Sequence, residues 1–460
     1  MTARHIALLA LLVAGAPALG AQGAQPAQSA QATQPTQPAQ SITFDDAIRI
    51  ALRQNTTLKQ ATNSAALDAA TVRQQRLQFL PDLRVTTNTG QNYGRSFSES
   101  EGRIIDQTTQ SLNAGLSSSV TLFNGFSNVA SLRSAQLSED AGERNVQRAE
   151  QTVAFTVASN YLGLVQQQEQ LRVQRENLAA QEAQERQIKA YVDAGSRPIS
   201  DLYQQQATVA AARSAVVNAE RAYELAKVDL IQTLQLDPRR SYTFVPPALD
   251  TTRKTTEFNL DSLLTRALDK RSDLDAQEVL VSAASQNVRA AKGSRYPTLS
   301  LSAGYNTAYN SATSVGFVDQ LDQRRGGSIG LGLSIPIFDR GNTDLATQRA
   351  RIAEDNARLD LKDRQQQVGL EVRRAYLDYQ AAQQQLDAAD AQLRAAELAL
   401  QASQQRYNVG AATLLEVTQA RAAQVQAASA LVTARYGLLF QRTIMGYYVG
   451  DLDPRAVRIG

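Results

Sequence analysis

The 460-residue sequence predicts a mostly α-helical protein with a small amount of transmembrane β-structure, arranged as a tandem duplication. Three observations predict this fold class. The chain repeats itself, each copy holds one long segment almost free of glycine and proline, and short stretches alternate apolar residues with small or polar ones. Such alternation is typical of strands that face lipid on one side and water on the other.

The composition excludes most catalytic and metal-binding chemistry. The chain has no cysteine and a single histidine, His5. A zinc site, a thiol nucleophile, a disulfide, a haem ligand and a histidine triad are therefore all ruled out. An enzyme that uses only carboxylates is still permitted, but no catalytic constellation supports one. We expect no enzyme activity, no cofactor and no metal site.

The charge distribution argues against a nucleic-acid partner. The 47 basic and 44 acidic residues leave a formal net charge of +3. They are interspersed along the chain, so no concentrated positive field forms. We expect no nucleic acid among the partners.

Residues 1–20 have the pattern of a cleaved signal peptide. Arg4 and His5 precede an apolar run over residues 6–19, and small residues follow it. About fourteen apolar residues are too few to span a bilayer, which requires about twenty. Residues 21–40 are rich in glutamine, alanine and proline, which predicts a disordered linker.

The rest of the chain is a duplication. Residues 44–85 align without a gap on residues 260–301, at a separation of 216 residues that shifts only to 215 in the following segments. The first repeat is assigned to residues 41–238 and the second to residues 258–454, with a linker at 239–257 and a C-terminal tail at 455–460. The matched pairs include Asp45 with Asp261, Leu58 with Leu274, and Pro81 with Pro297.

Each repeat begins with helices and continues with a strand pair. A short amphipathic helix leads into a longer one that is expected to end before Pro81 or Pro297, because proline cannot continue the hydrogen-bond ladder. Strand pairs are predicted at about residues 82–123 and 298–338, and the stretch LSLSAGY from Leu299 shows the alternation. The strands alone are equally compatible with a half-buried hairpin on a soluble core.

A long helix follows each strand pair, at about residues 128–194 and 341–408. A helix of this length measures roughly 100 Å. In the second copy, large residues recur every seven positions and small residues recur three places later, which is coiled-coil spacing. The large set is Val372, Tyr379, Leu386, Leu393, Leu400 and Tyr407, and the small set is Ala375, Ala382, Ala389, Ala396 and Ser403.

The long helices are predicted to turn back at Gly195 and Gly410. Glycine suits a helix end because it adopts the left-handed conformation readily. Return helices are expected at about residues 196–236 and 411–449. Because the two glycines occupy matching positions, the two turns are expected to form one shared tip.

Several motifs together resemble the TolC-type outer-membrane efflux proteins, also called outer membrane factors. The resemblance covers residues 41–454 and rests on the order and duplication of the motifs. They are the paired openings SITFDDAIRIALRQN and EFNLDSLLTRALDKR, LPDL and YPTLSLSA before the strands, PIFDRG after them, NYLGLV and RAYLDYQ in the long helices, and RYNVGAATLLEVTQARA at the second turn.

The resemblance implies a homotrimer in the outer membrane of a Gram-negative-type bacterium. Each chain would be one protomer of a 12-stranded β-barrel joined to a 12-helix α-barrel tunnel in the periplasm, with residues 239–257 as an equatorial linker at mid-tunnel. Such a duct contacts outer-membrane lipid and a periplasmic adaptor (membrane fusion) protein, and serves an inner-membrane pump indirectly in efflux or type I secretion. The alternative is a periplasmic coiled-coil scaffold, or an adhesin-like structural protein, without a channel.

The resemblance also assigns roles to the two turns. The periplasmic constriction is expected to comprise Asp201, Glu416, Tyr407 and Arg197. The adaptor-docking tips are expected at Gly195, Ser196, Gly410 and Ala411. Some family members carry an arginine two residues after the second glycine, where this chain has Ala412. Arg197 holds the equivalent place in the first copy. The alternative is that the four constriction residues are ordinary solvated groups at helix turns.

Overall fold

A computed structural model describes residues 40–98, 102–246 and 257–456. The predicted signal peptide, nearly all of the 21–40 linker, most of the 239–257 linker and the end of the tail lie outside these ranges. Within them, no helix combines the length and the apolar character required to cross a membrane.

The two repeats give the same succession of helices and strands, with one extra helix in the second. The first contains β1 (Gln40–Ile42), α1 (Phe44–Gln54), α2 (Thr56–Leu77), β2 (Arg84–Ser98), β3 (Arg103–Asn124), α3 (Ser127–Asp193) and α4 (Ile199–Thr233). The second contains β4 (Tyr242–Phe244), α5 (Leu260–Lys270), α6 (Ser272–Gly293), β5 (Thr298–Asn310), α7 (Phe317–Gln323), β6 (Gly326–Ser334), α8 (Asn342–Asn408) and α9 (Leu414–Val449).

The first short helix is fixed by local chemistry. Thr43 and Asp46 form a capping box, in which each side chain accepts a hydrogen bond from the other residue's backbone N–H. The buried residues of α1, Phe44, Ala47 and Ile48 among them, follow helical spacing and form one apolar face. That face packs against α3.

The long helices α3 and α8 each contain 67 residues, which corresponds to about 100 Å. Helix α4 packs along α3, α9 packs along α8, and α3 also contacts α9. The repeating seam of α8 packs against α5 and α9 near the middle of the helix, and against α3 and α9 near its end. Its buried members are Val372, Ala375, Tyr379, Ala382, Ala389, Leu400 and Tyr407.

Four strands form one antiparallel sheet in the order β2-β3-β5-β6. One face of the sheet is apolar, and its residues are open to the surroundings in the single chain. Val85 is 77% exposed, Ile329 is 83% exposed and Leu331 is 66% exposed. The alternation in the sequence therefore produces a sheet with one apolar face, which the single chain leaves uncovered.

The strands differ from the sequence prediction at three places. A bulge between Thr121 and Phe123 shifts the register, so that Phe123 pairs with Leu299 and Leu122 leaves the regular alternation. The last strand ends at Ser334 instead of about residue 338, because Pro336 has no N–H to donate to a ladder. Helix α7 lies in the β5–β6 connection, inside the region for which the sequence predicted only a strand pair.

Strands β1 and β4 pair in parallel against the middle of α3. The hydroxyl of Tyr161 donates to the carbonyl of Val245 at 2.5 Å and lies 3.2 Å from the carbonyl of Ile42. Tyr161 is fully buried, and this burial raises its pKa to about 12. The described start of the linker is thereby held to the centre of the long helix.

A buried charged cluster joins α6 to α3 and α8. Arg271, which is 1% exposed, donates to Asp273 at 2.7 Å and to Glu371 at 2.6 Å. Arg364 donates to Asp273 at 2.6 Å, and Arg148 lies 3.9 Å from the same carboxylate. Burial by itself would raise the pKa of Asp273, but the hydrogen bonds and charges of the arginines lower it far below its ordinary value.

Candidate functional site: the paired helix tips

The two helix turns have the same backbone geometry. Gly195 and Gly410 adopt positive φ angles of 70° and 81°. In each turn the glycine N–H and the next N–H bond back to carbonyls of the preceding helix, as in the Schellman motif. Glycine suits these positions because residues with a Cβ are strained at such angles. The local sequence therefore determines where both long helices end.

The two tips pack against each other through a small apolar cluster. Ile188 of α3 is fully buried against residues from α8, α9 and the turn between them. The other buried members are Leu400, Tyr407, Ala412, Leu414 and Val417. The tips of the two repeats therefore form one continuous structure within the chain.

Arg197, Tyr407 and Asp201 meet at this junction. Arg197 donates a hydrogen bond to the carbonyl of Tyr407, and its guanidinium carbon lies 4.4 Å from the centre of the Tyr407 ring. The Tyr407 hydroxyl donates to Asp201 at 3.3 Å. Arg197 and Asp201 belong to the first repeat and Tyr407 to the second, so the three residues form a latch between the two helical hairpins.

Burial and charge act together on Tyr407, which is 1% exposed. Burial raises the pKa of its hydroxyl, and the neighbouring Asp201 carboxylate raises it further, while Arg197 acts in the opposite direction. The hydroxyl therefore stays protonated and remains a hydrogen-bond donor at neutral pH. Tyr407 is not a solvated tip residue.

Glu416 occupies a different environment from the latch. It forms a capping box with Thr413 at the start of α9, and its carboxylate lies 3.2 Å from Arg406. Arg406 also donates to the carbonyl of Ala411 at 3.0 Å. All these residues belong to the second tip. Within the chain the structure thus brings Asp201, but not Glu416, to Tyr407.

The four expected docking positions lie at the turns themselves. Gly195, Ser196, Gly410 and Ala411 are exposed. The Ser196 hydroxyl donates to the carbonyl of Tyr191 at 2.8 Å, which closes the first turn. The tips therefore present backbone and small side chains outward.

Sequence reasoning missed two features of the site. The T-x-x-E spacing of Thr413 and Glu416 is a capping-box signal that could have been found. The buried pair Gln205 and Gln181, in which the Gln205 amide donates to the Gln181 side chain at 2.8 Å, joins α4 to α3 just above the turn. Nothing local marks these two glutamines among the many in the chain.

Known proteins share this architecture over most of its length. The family model described as outer membrane efflux protein matches residues 47–234 and 263–443, one stretch in each repeat. The outer membrane protein TolC of Vibrio cholerae is 26% identical over 408 residues, covering 86% of this chain and 87% of that protein. The pyoverdine export outer membrane protein OpmQ of Pseudomonas aeruginosa is 27% identical over 399 residues, covering 82% and 80%.

Solved structures agree in fold. A crystal structure of CusC superposes with a TM-score of 0.76 at 20% identity, covering 88% of this chain and 92% of that one. The outer membrane protein VceC of Vibrio cholerae gives a TM-score of 0.73 at 19% identity, covering 88% and 96%. The resemblance seen in the motifs is confirmed, and because the family match extends through both repeats, this chain belongs to the outer membrane efflux protein family.

Proposed function

We propose that this outer membrane efflux protein works as one of three identical subunits of an exit duct. In this proposal, three sheets form a 12-stranded β-barrel in the outer membrane, and three sets of helices form a 12-helix tunnel in the periplasm. An inner-membrane pump and a periplasmic adaptor supply the substrate, which leaves through the barrel.

The sheet is the observation that carries the proposal. Among the described strands, nothing pairs with the outer edges of β2 and β6, and the apolar face of the sheet is open. Unpaired backbone groups are not tolerated in the hydrocarbon of a membrane, so the edges require other chains. β2 leads away from the helices and β6 leads back to them, so the two edges run antiparallel. Edge-to-edge contact of identical copies therefore closes a wholly antiparallel barrel.

The tips supply the closed state of the duct. The latch of Arg197, Tyr407 and Asp201 holds the α3–α4 hairpin against the α8–α9 hairpin in each subunit. We propose that separating these hairpins widens the periplasmic entrance. In a trimer, Asp201 and Glu416 each occur three times, and acidic rings of this kind favour cations in a pore.

The adaptor is proposed to dock at the exposed turns. Cysteine at Ser196 or Ala411 is expected to crosslink to the adaptor, and the absence of native cysteine makes the reaction specific. The matched control is cysteine at the exposed Arg239, near β4 and the middle of the long helix. Crosslinking at Arg239 alone would refute docking at the tips and favour a lateral contact.

The barrel is tested by two adjacent substitutions in β6. Ile329 lies on the apolar face opposite Ala303, and Ser328 lies on the other face opposite Gly304. Ile329→Arg is expected to cost about 2–4 kcal/mol per subunit if it lies near the bilayer midplane. Ser328→Arg adds the same charge to the lumen and is expected to be tolerated.

The readouts are outer-membrane fractionation and the heat-dependent migration of a folded barrel on a gel. Loss of the heat-dependent band in Ile329→Arg, with its retention in Ser328→Arg, is the expected result. Equal effects of the two changes would refute the barrel, and so would wild-type protein without a heat-dependent band.

A further inference from the structure

A cavity of about 780 Å³ opens between the start of α3 and the end of α6, next to the sheet. Phe123, which lines it, belongs to the apolar face of the sheet because it pairs with Leu299. Phe123 packs edge-on against Phe126, with the ring centroids 5.3 Å apart. The cavity is therefore continuous with the apolar face of the sheet.

Beside the cavity, the backbone at Gly125 passes very close to the backbone at Gly293. Gly125 has a φ of +64°, and a Cβ there would lie 2.3 Å from the carbonyl oxygen of Gly293. The next residue, Phe126, also has a positive φ, of 63°, and its side chain is 68% exposed. The left-handed conformation strains Phe126, because it is not a glycine, and it leaves a large aromatic ring uncovered beside the cavity.

The lining changes in character with distance from the sheet. Along α3, Val129 lies about 3 Å from the first helical residue, Arg133 about 9 Å and Gln136 about 14 Å. Along α6, Arg289 lies about 6 Å from the last helical residue and Gln286 about 10 Å. Apolar groups and Lys292 thus lie nearest the sheet, the two arginines next and the neutral amides farthest.

This order matches the depth profile of a membrane surface. The hydrocarbon core is about 30 Å thick and the whole bilayer about 40–45 Å, which leaves a headgroup layer of about 6 Å on each side. Where the apolar sheet face marks the hydrocarbon, Arg289 lies within this layer, and Arg133 lies just beyond it, within side-chain reach of the headgroup phosphates. The amides then lie in water.

The rim of the cavity carries positive charges that no acidic lining residue neutralises. Three cations line it, Arg133, Arg289 and Lys292, and no carboxylate does. In the part of the chain that the structure describes, none of the three forms an ion pair, and Arg289 has only a 3.5 Å contact with the Gln286 side chain. An apolar floor with a cationic rim complements an anionic amphiphile.

The cavity also remains open in the proposed trimer. The helices beside the sheet follow the order α2, α3, α6 and α8, and the strands follow the order β2, β3, β5 and β6. Neighbouring subunits would join at the outer members of both series, whereas the cavity lies between the central pair. The corresponding turn of the second repeat has Gly341 in place of Phe126 and Gln348 in place of Arg133, so this floor and rim belong to one repeat alone.

We propose that this cavity binds one anionic phospholipid per subunit, from the leaflet that faces the helices. The phosphate would lie between the arginines and an acyl chain would cover Phe126 and Val129. The proposal rests on membrane insertion of the sheet, which is part of the proposed function. A cation near a membrane surface raises the local preference for anionic lipid by roughly fivefold, so three cations are expected to give a preference of at least about tenfold.

The test uses the absence of native tryptophan. Phe126→Trp places the only tryptophan of the chain at the cavity. The protein is reconstituted in phosphatidylcholine vesicles that contain increasing fractions of brominated phosphatidylglycerol or brominated phosphatidylcholine. Half-maximal quenching is expected at an about tenfold lower fraction of the brominated phosphatidylglycerol. Inorganic phosphate added to plain phosphatidylcholine vesicles is expected to leave the emission unchanged.

Two variants in the same background isolate the rim. Neutralising it with Arg133→Gln, Arg289→Gln and Lys292→Gln is expected to abolish the preference. Arg186→Gln, an exposed position about 80 Å farther along α3, is expected to preserve it. The heat-dependent band is measured in each sample, which separates failure of insertion from failure of lipid binding. Inserted protein without a lipid preference, a preference that survives the triple change, or a phosphate effect equal to that of the lipid would overturn the proposal.

Discussion

The latch between the helix tips predicts that a single oxygen atom influences whether the duct is closed. Tyr407→Phe removes the hydroxyl that donates to Asp201 at 3.3 Å and keeps the ring in the buried cluster. Arg197→Gln removes the cation from the Tyr407 ring. Both changes weaken the contact between hairpins and leave the fold of each hairpin intact.

The expected magnitude follows from the geometry. The hydroxyl–carboxylate bond is long and partly exposed, so it is assigned about 1 kcal/mol, below the roughly 1.5–3 kcal/mol of well-formed bonds to charged groups. The cation–ring contact contributes roughly 0.5–1 kcal/mol. If three subunits open together, Tyr407→Phe shifts the closed-to-open equilibrium by about 3 kcal/mol, which is more than a hundredfold.

The assay is the resting conductance of purified protein in planar lipid bilayers. Tyr407→Phe and Arg197→Gln are expected to raise it relative to wild type. The control is Arg406→Gln, because Arg406 pairs with Glu416 inside one hairpin and does not bridge the two. Unchanged conductance in both latch variants, or an equal increase in Arg406→Gln, would refute the assignment of the latch.

Further predictions concern ions, buried charge and pH. The trimer is expected to prefer cations and to be blocked from the periplasmic side by divalent metal ions, and Asp201→Ala with Glu416→Ala should remove the block; a block that persists would show that these carboxylates do not line the entrance. Asp273→Asn is expected to lower the free energy of unfolding in urea by about 3 kcal/mol at neutral pH, because it leaves Arg271 short of a partner, whereas Asp140→Asn in an exposed pair costs under about 1 kcal/mol. Because the pKa of Asp273 is lowered in the folded state, ionised Asp273 stabilises the fold above the ordinary pKa of 3.8, and this stabilisation is lost as the pH falls below that value. The difference in unfolding free energy between Asp273→Asn and wild type should therefore shrink at acidic pH. Because the pKa of Tyr161 is raised to about 12, its protonated hydroxyl stabilises the fold below pH 10, and this stabilisation is lost between pH 10 and about 12. The unfolding free energy of Tyr161→Phe should lack this part of the pH dependence.

The helices could be predicted because their signals are local. The end of α3 is encoded by Gly195, and the seam of α8 by a spacing that seven-residue periodicity reveals. The apolar face of the sheet follows equally from alternation. Each of these features depends on residues close together in the sequence, and the duplication provides the glycine signal twice, at Gly195 and Gly410.

Other features could not be predicted because they depend on distant residues. The bulge at Leu122 depends on how β3 meets β5, and the partner of Tyr407 lies in the other repeat. The buried Arg271 follows Lys270 and resembles any surface arginine in the sequence. The first repeat offers no hint of it, since the corresponding residue is Asn55, a neutral cap of α2. Sequence spacing located the tips. It did not reveal that Asp201 contacts Tyr407 whereas Glu416 caps the start of α9.

Disulfide trapping between sheet edges tests whether three subunits close into one ring. Cysteine at Leu331 of β6 is combined in turn with cysteine at Val85, Thr87 or Thr89 of β2, in a chain with no other cysteine. After oxidation in the outer membrane, at least one pair is expected to give a covalent trimer on a denaturing gel, with no free thiol and full conversion to monomer on reduction. Covalent dimers, an open-ended ladder of oligomers, or no crosslink with any of the three pairs would contradict the ring.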